Sequence, residues 1–259
     1  MAETIVMIHG MWSKPWVWDN YKKFFEKKGY RCIVPTLRYH DIDPKDTPDP
    51  RLGTTSLLDY AQDLEKDISK LGDKPILIGH SMGGLLAQIL GSRGLARALV
   101  LLTPASPAGT WPLTPSVVRS FWSVLVRPNF WKRYMRQTFN EAVYSMLNLL
   151  PPKEQKANYD KFVCESGRAA SEVGFWFFDP RKASKVDESK VTCPVLVIAG
   201  AQDRITPAWV VRQAARKYKG AVYKEYPDHA HWVLGEPGWQ DVAEYASDWL
   251  SKALAKGGK

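Results

Sequence analysis

The chain has 259 residues, a formal net charge of +9 and 45% hydrophobic residues, enough for one large α/β domain with an insertion, or for two small ones. Its basic residues are scattered, with no run of five like charges, no phosphate-cradling glycine loop of the P-loop type and no basic arm, which argues against a nucleic-acid partner. Cys32, Cys164 and Cys193 are widely spaced and fit neither a disulfide framework nor a zinc pattern, and no apolar run approaches the length of a membrane span.

The N-terminus enters a strand at Ile5-Val6-Met7-Ile8 with no charged-then-apolar leader, so a cytoplasmic location is expected. Residues 16–28 read as a helix with Trp18, Tyr21, Phe24 and Phe25 on one side, stopped by Gly29. A second strand covers 31–34, and residues 36–53 form a long loop rich in Pro and Asp. Ser56, with Asp59 three residues on, opens a helix whose Leu57, Ala61, Leu64 and Ile68 keep helical spacing.

Pro75-Ile76-Leu77-Ile78 then forms an apolar strand that runs directly into Gly79-His80-Ser81-Met82-Gly83 and an apolar helix. A serine flanked by glycines between a buried strand and a helix is the sequence form of a nucleophile elbow. Small residues two positions to either side let the strand and the helix pass closely. The tight turn holds the hydroxyl at the tip of the sheet, beside the positive end of the helix.

Residues 97–103 give another apolar strand, after which the alternation breaks. From 105 to 187 no clear strand is expected, only helical patches between prolines. The rhythm returns with a strand over 194–200, a helix over 208–217, a strand over 221–226 and a last helix over 239–254. Alternating strands and helices predict an α/β fold, a mostly parallel central sheet flanked by helices. The predicted core is 1–104 with 188–259, and 105–187 is an inserted helical lid.

Function in such sheets gathers at the carboxyl ends of the strands. A serine hydroxyl needs a base within reach, and the base needs an orienting acid. Asp203 stands just past the strand 194–200, while the strand 97–103 ends in Thr103-Pro104 with no carboxylate. His229 and His231 follow the strand 221–226, and either is placed to be the base. The pair could also form half of a metal site, but Val233 and Leu234 follow where further ligands would be needed. His9 and His80 read as structural, and His40 has no evident partner.

These residues together resemble the α/β-hydrolase-fold serine hydrolases, in their esterase and lipase-like branch. The likeness rests on Val6-Met7-Ile8-His9-Gly10, Gly79-His80-Ser81-Met82-Gly83-Gly84, Gly200-Ala201-Gln202-Asp203 and His231-Trp232 with Glu236-Pro237. The resemblance implies the catalytic set Ser81, Asp203 and His231, since the family's base commonly stands five residues before a glutamate, as His231 does before Glu236. It further implies that the backbone N–H groups of Met11 and Met82 form an oxyanion hole. No cofactor and no metal are called for.

The expected reaction is hydrolysis of carboxylic esters with a small or medium hydrophobic acyl or aryl part, through an acyl-enzyme. A carbon–carbon bond hydrolase or a perhydrolase would use the same three residues, and a ligand receptor would keep them with little turnover. The segment 105–187 is rich in aromatics, a surplus of which would line a hydrophobic pocket. Trp12, Trp122 and Phe178 are candidate substrate contacts. The interleaving of Arg119, Arg127, Lys132, Arg133 and Arg136 with those aromatics suits either a wet helix face or peripheral contact with an anionic lipid surface.

Overall fold

A computed structural model describes residues 2–111 and 113–256; residues 1, 112 and 257–259 of the predicted segments lie outside it. Six parallel strands form the central sheet: β1 (Thr4–Ile8), β2 (Arg31–Ile33), β3 (Ile76–His80), β4 (Ala98–Leu102), β7 (Val195–Gly200) and β8 (Val222–Tyr226). Their spatial order is β2-β1-β3-β4-β7-β8. The inner strands β3, β4 and β7 are buried along their whole length, which is why they read as unbroken apolar runs. At the edge, β8 is half-buried and carries Lys224 and Glu225.

The core helices are α1 (Asp19–Lys27), α2 (Leu57–Ile68), α3 (Met82–Ser92), α9 (Ala208–Ala215) and α10 (Trp239–Lys256). The helix expected over 16–28 divides into a 3₁₀ turn at Pro15–Trp18 and α1, because a proline opens the first turn. Ser56 and Asp59 form a reciprocal capping box at the start of α2.

Between β4 and β7 the chain leaves the sheet and forms α4 (Pro115–Ser120), α5 (Trp122–Leu125), α6 (Phe139–Ser145), α7 (Pro152–Tyr159) and α8 (Gly167–Gly174). This stretch also holds two strands that the sequence does not announce, β5 (Tyr134–Met135) and β6 (Glu165–Ser166), paired antiparallel. With two residues each, they are too short to display an alternating pattern.

Two buried carboxylates tie the stretch between β4 and β7 to the rest of the molecule. Glu165 accepts hydrogen bonds from the Tyr60 hydroxyl (2.7 Å) and the Ser166 N–H (2.6 Å), and lies 3.1 Å from His40 Nε2. Glu172 accepts from the Ser56 hydroxyl and the Leu57 N–H, each at 2.8 Å, and is met by Arg168 and Arg181. A buried carboxylate is tolerated only with such a full set of donors.

Candidate active site

Ser81 sits between β3 and α3 with φ 54° and ψ −122°, a conformation L residues rarely adopt. The surroundings over-determine it. The Ser81 N–H donates to the Leu102 carbonyl on β4 (3.1 Å), and its carbonyl accepts from the N–H groups of Gly84 and Ala105, each at 2.9 Å. A Cβ on Gly83 would overlap the Ile8 carbonyl oxygen, and one on Gly79 would overlap the Gly83 carbonyl. Glycine at these positions is therefore what lets α3 leave the strand at this angle. Met82 opens α3, so its N–H has no carbonyl one turn earlier to accept it and is free for an external oxygen.

Positive φ also occurs at Trp12, past the end of β1, and at Thr103, just past β4 (61° and 40°). Strain thus collects along the carboxyl edge of the sheet, where Ser81 stands. Gly10 closes in from β1: a Cβ there would lie 2.9 Å from the Ser81 Cβ. That approach brings Met11 and Trp12 alongside the serine.

Asp203 and His231 meet at the same edge. His231 Nδ1 lies 2.7 Å from Asp203 Oδ2. The other carboxylate oxygen, Oδ1, accepts from the N–H groups of Ile205 and Thr206, both at 2.8 Å. A carboxylate only accepts, so Nδ1 donates this bond, and in the neutral imidazole the lone pair is then on Nε2. Nε2 is buried and has no partner among the described residues. The His231 backbone oxygen accepts from His80 Nε2 (2.8 Å) and from the Thr103 hydroxyl (3.3 Å), which holds the loop against the elbow. His80 remains uncharged, since burial, and then the neighbouring His231, hold its pKa well below the ordinary imidazole range.

His229 turns the other way. Its Nδ1 lies 2.9 Å from Glu236 Oε1, which also accepts the Ala230 N–H at 2.9 Å. Glu236 therefore ties down the loop carrying His231 through His229 and Ala230, and does not bond to the His231 ring. His9 likewise supports the backbone: Nδ1 donates to the Gly10 carbonyl (2.9 Å) and Nε2 accepts the Leu37 N–H (3.2 Å).

Two residues at this edge carry little sequence signal of their role. The Thr206 hydroxyl lies 2.7 Å from Asp203 Oδ2, 3.1 Å from the Thr103 carbonyl and 3.2 Å from His231 Nδ1. Thr103 supplies that carbonyl as well as its own hydroxyl bond to the His231 loop. The three-residue step from Asp203 to Thr206, typical of a side chain bonding a nearby backbone N–H, is the one hint the sequence offers.

A narrow cavity of about 80 Å³ opens over Ser81. Met11, Trp12, Met82, Ile205 and Thr206 line it. Val117, Phe121, Phe130 and Phe175 close it from the inserted segment. Its lining contains no charged side chain among the described residues. Trp12 is thus in the cavity wall. Trp122 and Phe178 do not line it; they are 60% and 79% exposed on the outside of the inserted segment. No group of three or more His, Cys, Asp or Glu among the described residues is placed to hold a metal ion. No helix among them is long and apolar enough to cross a membrane.

The sequence profile of the Alpha/beta hydrolase family matches residues 5–245, and the chain belongs to that family. Solved structures of similar fold include a pyrethroid hydrolase from Sphingobium faniae JZ-2, 20% identical, covering 99% of this chain and 100% of that one with a TM-score of 0.71. The monoacylglycerol lipase of Paleococcus ferrophilus is 23% identical over 96% of this chain and 94% of its own, with a TM-score of 0.70. A methylesterase protein from Arabidopsis is 14% identical over 96% and 99%, with a TM-score of 0.72. No curated protein sequence matches the chain significantly.

Proposed function

We propose that this chain is a serine hydrolase of uncharged carboxylic esters bearing a small or medium hydrophobic acyl or aryl group. The observation that carries the reading is the buried His231 imidazole, bonded through Nδ1 to Asp203 and with Nε2 unpartnered, at the edge where Ser81 is held out by a strained turn. In the proposed reaction, Nε2 takes the Ser81 proton as Oγ adds to the ester carbonyl. The Met11 and Met82 N–H groups receive the oxyanion, and Asp203 stabilises the imidazolium. Collapse expels the alcohol, which takes its proton from His231, and leaves an acyl group on Ser81. Water then adds with its proton going to His231, and the acid departs as Ser81 regains a proton.

The cavity supports this substrate class: its apolar, uncharged lining disfavours a charged acyl group by its desolvation cost. Its small volume favours short chains. Residues 105–187 act as a lid in this reading, closing the pocket with Phe121, Phe130 and Phe175. The similar structures are a pyrethroid hydrolase, a monoacylglycerol lipase and a methylesterase, in keeping with this chemistry.

A series of p-nitrophenyl esters of rising chain length tests the proposal. The expected result is turnover with kcat/KM highest for acetate to hexanoate and falling steeply by laurate. Thermal stabilisation by such esters without release of p-nitrophenol would instead mark a receptor and refute the hydrolase reading.

A further inference from the structure

Of the large hydrophobic side chains left exposed on the described molecule, all but Trp209 belong to the inserted segment. Four of them lie together there. Trp111 stacks on Phe177 (ring centroids 5.8 Å apart, planes within 7°), and Phe177 meets Phe178 at 4.7 Å. Phe178 and Trp131 then line an outer groove together with Phe130 and Phe175. Those last two side chains also line the Ser81 cavity, so the groove and the cavity share a wall.

The charge around this patch is predominantly positive. The stretch 105–140 contains Arg119, Arg127, Lys132, Arg133 and Arg136 and no Asp or Glu. Residues 126–129 and 131–134 are all exposed, which places Arg127, Lys132 and Arg133 in one exposed stretch with Val126, Trp131 and Tyr134. Arg181 and Lys182 are exposed just beyond Phe178. The two acids at the groove, Glu172 and Asp179, are already met by Arg168, and Glu172 by Arg181 as well.

Large exposed apolar patches on a soluble protein mark a surface that something covers. Here the patch is aromatic and its rim is cationic. Tryptophan and tyrosine settle at the headgroup level of a bilayer, and arginine and lysine are drawn to anionic lipid. A second copy of the chain is a poorer fit, because a two-fold contact through this face would set these cations against their own copies. We propose that the outer face of the inserted segment, around Trp111, Trp131, Phe177 and the 126–134 loop, docks on an anionic bilayer surface. The catalytic cavity then lies one aromatic wall away from the lipid. This inference stands apart from the ester-hydrolase reading, since binding requires no turnover.

Flotation with vesicles of phosphatidylcholine alone, and with equimolar phosphatidylcholine and phosphatidylglycerol, tests it on the full chain. Binding is expected to the mixed vesicles only, with a blue shift in tryptophan emission and release at high salt. Trp111→Ser with Trp131→Ser, and separately Arg127→Glu with Lys132→Glu, should each weaken binding at least tenfold, given roughly fivefold per basic residue near an anionic surface. Both double variants should keep wild-type turnover of a dissolved short-chain ester, which reports an intact fold, and Ser81→Ala should bind vesicles as wild type does. Three results would each overturn the proposal: no binding to the mixed vesicles at low salt, binding undiminished in either double variant, or a concentration-dependent dimer dispersed by Trp131→Ser.

Discussion

Replacing Glu165 with glutamine isolates the buried junction that holds the inserted segment over the cavity. The substitution keeps the shape of a wholly buried side chain and deletes its charge. Burial opposes a charge on His40, but the Glu165 charge and hydrogen bond, helped by the Arg38 carbonyl, outweigh it and hold the His40 pKa above its ordinary value of 6.5. A histidine whose folded pKa is raised contributes stability that is fully present below the unfolded pKa. That contribution disappears as pH rises through the folded value. Breaking a buried ion pair from one side costs about 3–5 kcal/mol. Tyr60 and Ser166 still find an amide oxygen in the variant, so the low end applies, about 3 kcal/mol near pH 5.5. As pH rises through the raised His40 value the imidazole becomes neutral in both proteins, and the difference should shrink to about 1 kcal/mol.

His9 and His80 act with the opposite sign. Burial, and then the nearby His40, push the His9 pKa down to about 3, and His80 is held low by burial and His231. Both therefore favour the unfolded chain as pH falls below the unfolded value. Most of that slope is common to wild type and variant, so the difference between them carries the His40 signal. Urea titrations followed by far-UV circular dichroism across this pH range measure it. A difference that stays constant with pH, or a variant as stable as wild type, would refute the reasoning.

Other outcomes follow from the same contacts. Asp203→Asn should lower kcat by about 10⁴ with folding intact, because the amide presents the wrong partner to Nδ1; a loss below tenfold would remove Asp203 from its assigned place. Thr206→Val deletes one donor to Asp203 while the two backbone N–H bonds remain, so kcat/KM should fall about tenfold, the scale of one hydrogen bond to a charged group, and Thr206→Ser should restore it. Gly83→Ala forces a Cβ into the Ile8 carbonyl, so little soluble folded protein is expected on expression; a variant with a wild-type melting temperature would contradict the elbow geometry.

The strand–elbow–helix passage was legible because its constraints are local: an apolar run, glycines at fixed offsets and an apolar helix within a short span. Asp203 and His231 were legible as positions, each just past a strand, and the structure brings their side chains together. The junction around His40 was not, since its partner Glu165 lies 125 residues away and neither sits in a periodic pattern. Thr103 was not legible because its contributions are a backbone carbonyl and a hydroxyl bond to a distant loop. The aromatic segment showed its composition but not its faces. Helices of six and four residues, as α4 and α5 are, do not complete enough turns to define a buried side. So Phe121, Phe130 and Phe175 face the cavity, while Trp122 and Phe178 face outward.

Covalent labelling by a fluorophosphonate bears most directly on whether the Ser81 hydroxyl is activated by the buried imidazole. The account predicts one adduct per chain, located at Ser81 by peptide mass mapping, absent in Ser81→Ala and strongly slowed in His231→Gln. An unlabelled wild-type chain, an adduct on another residue, or a His231→Gln variant that reacts at the wild-type rate would contradict it.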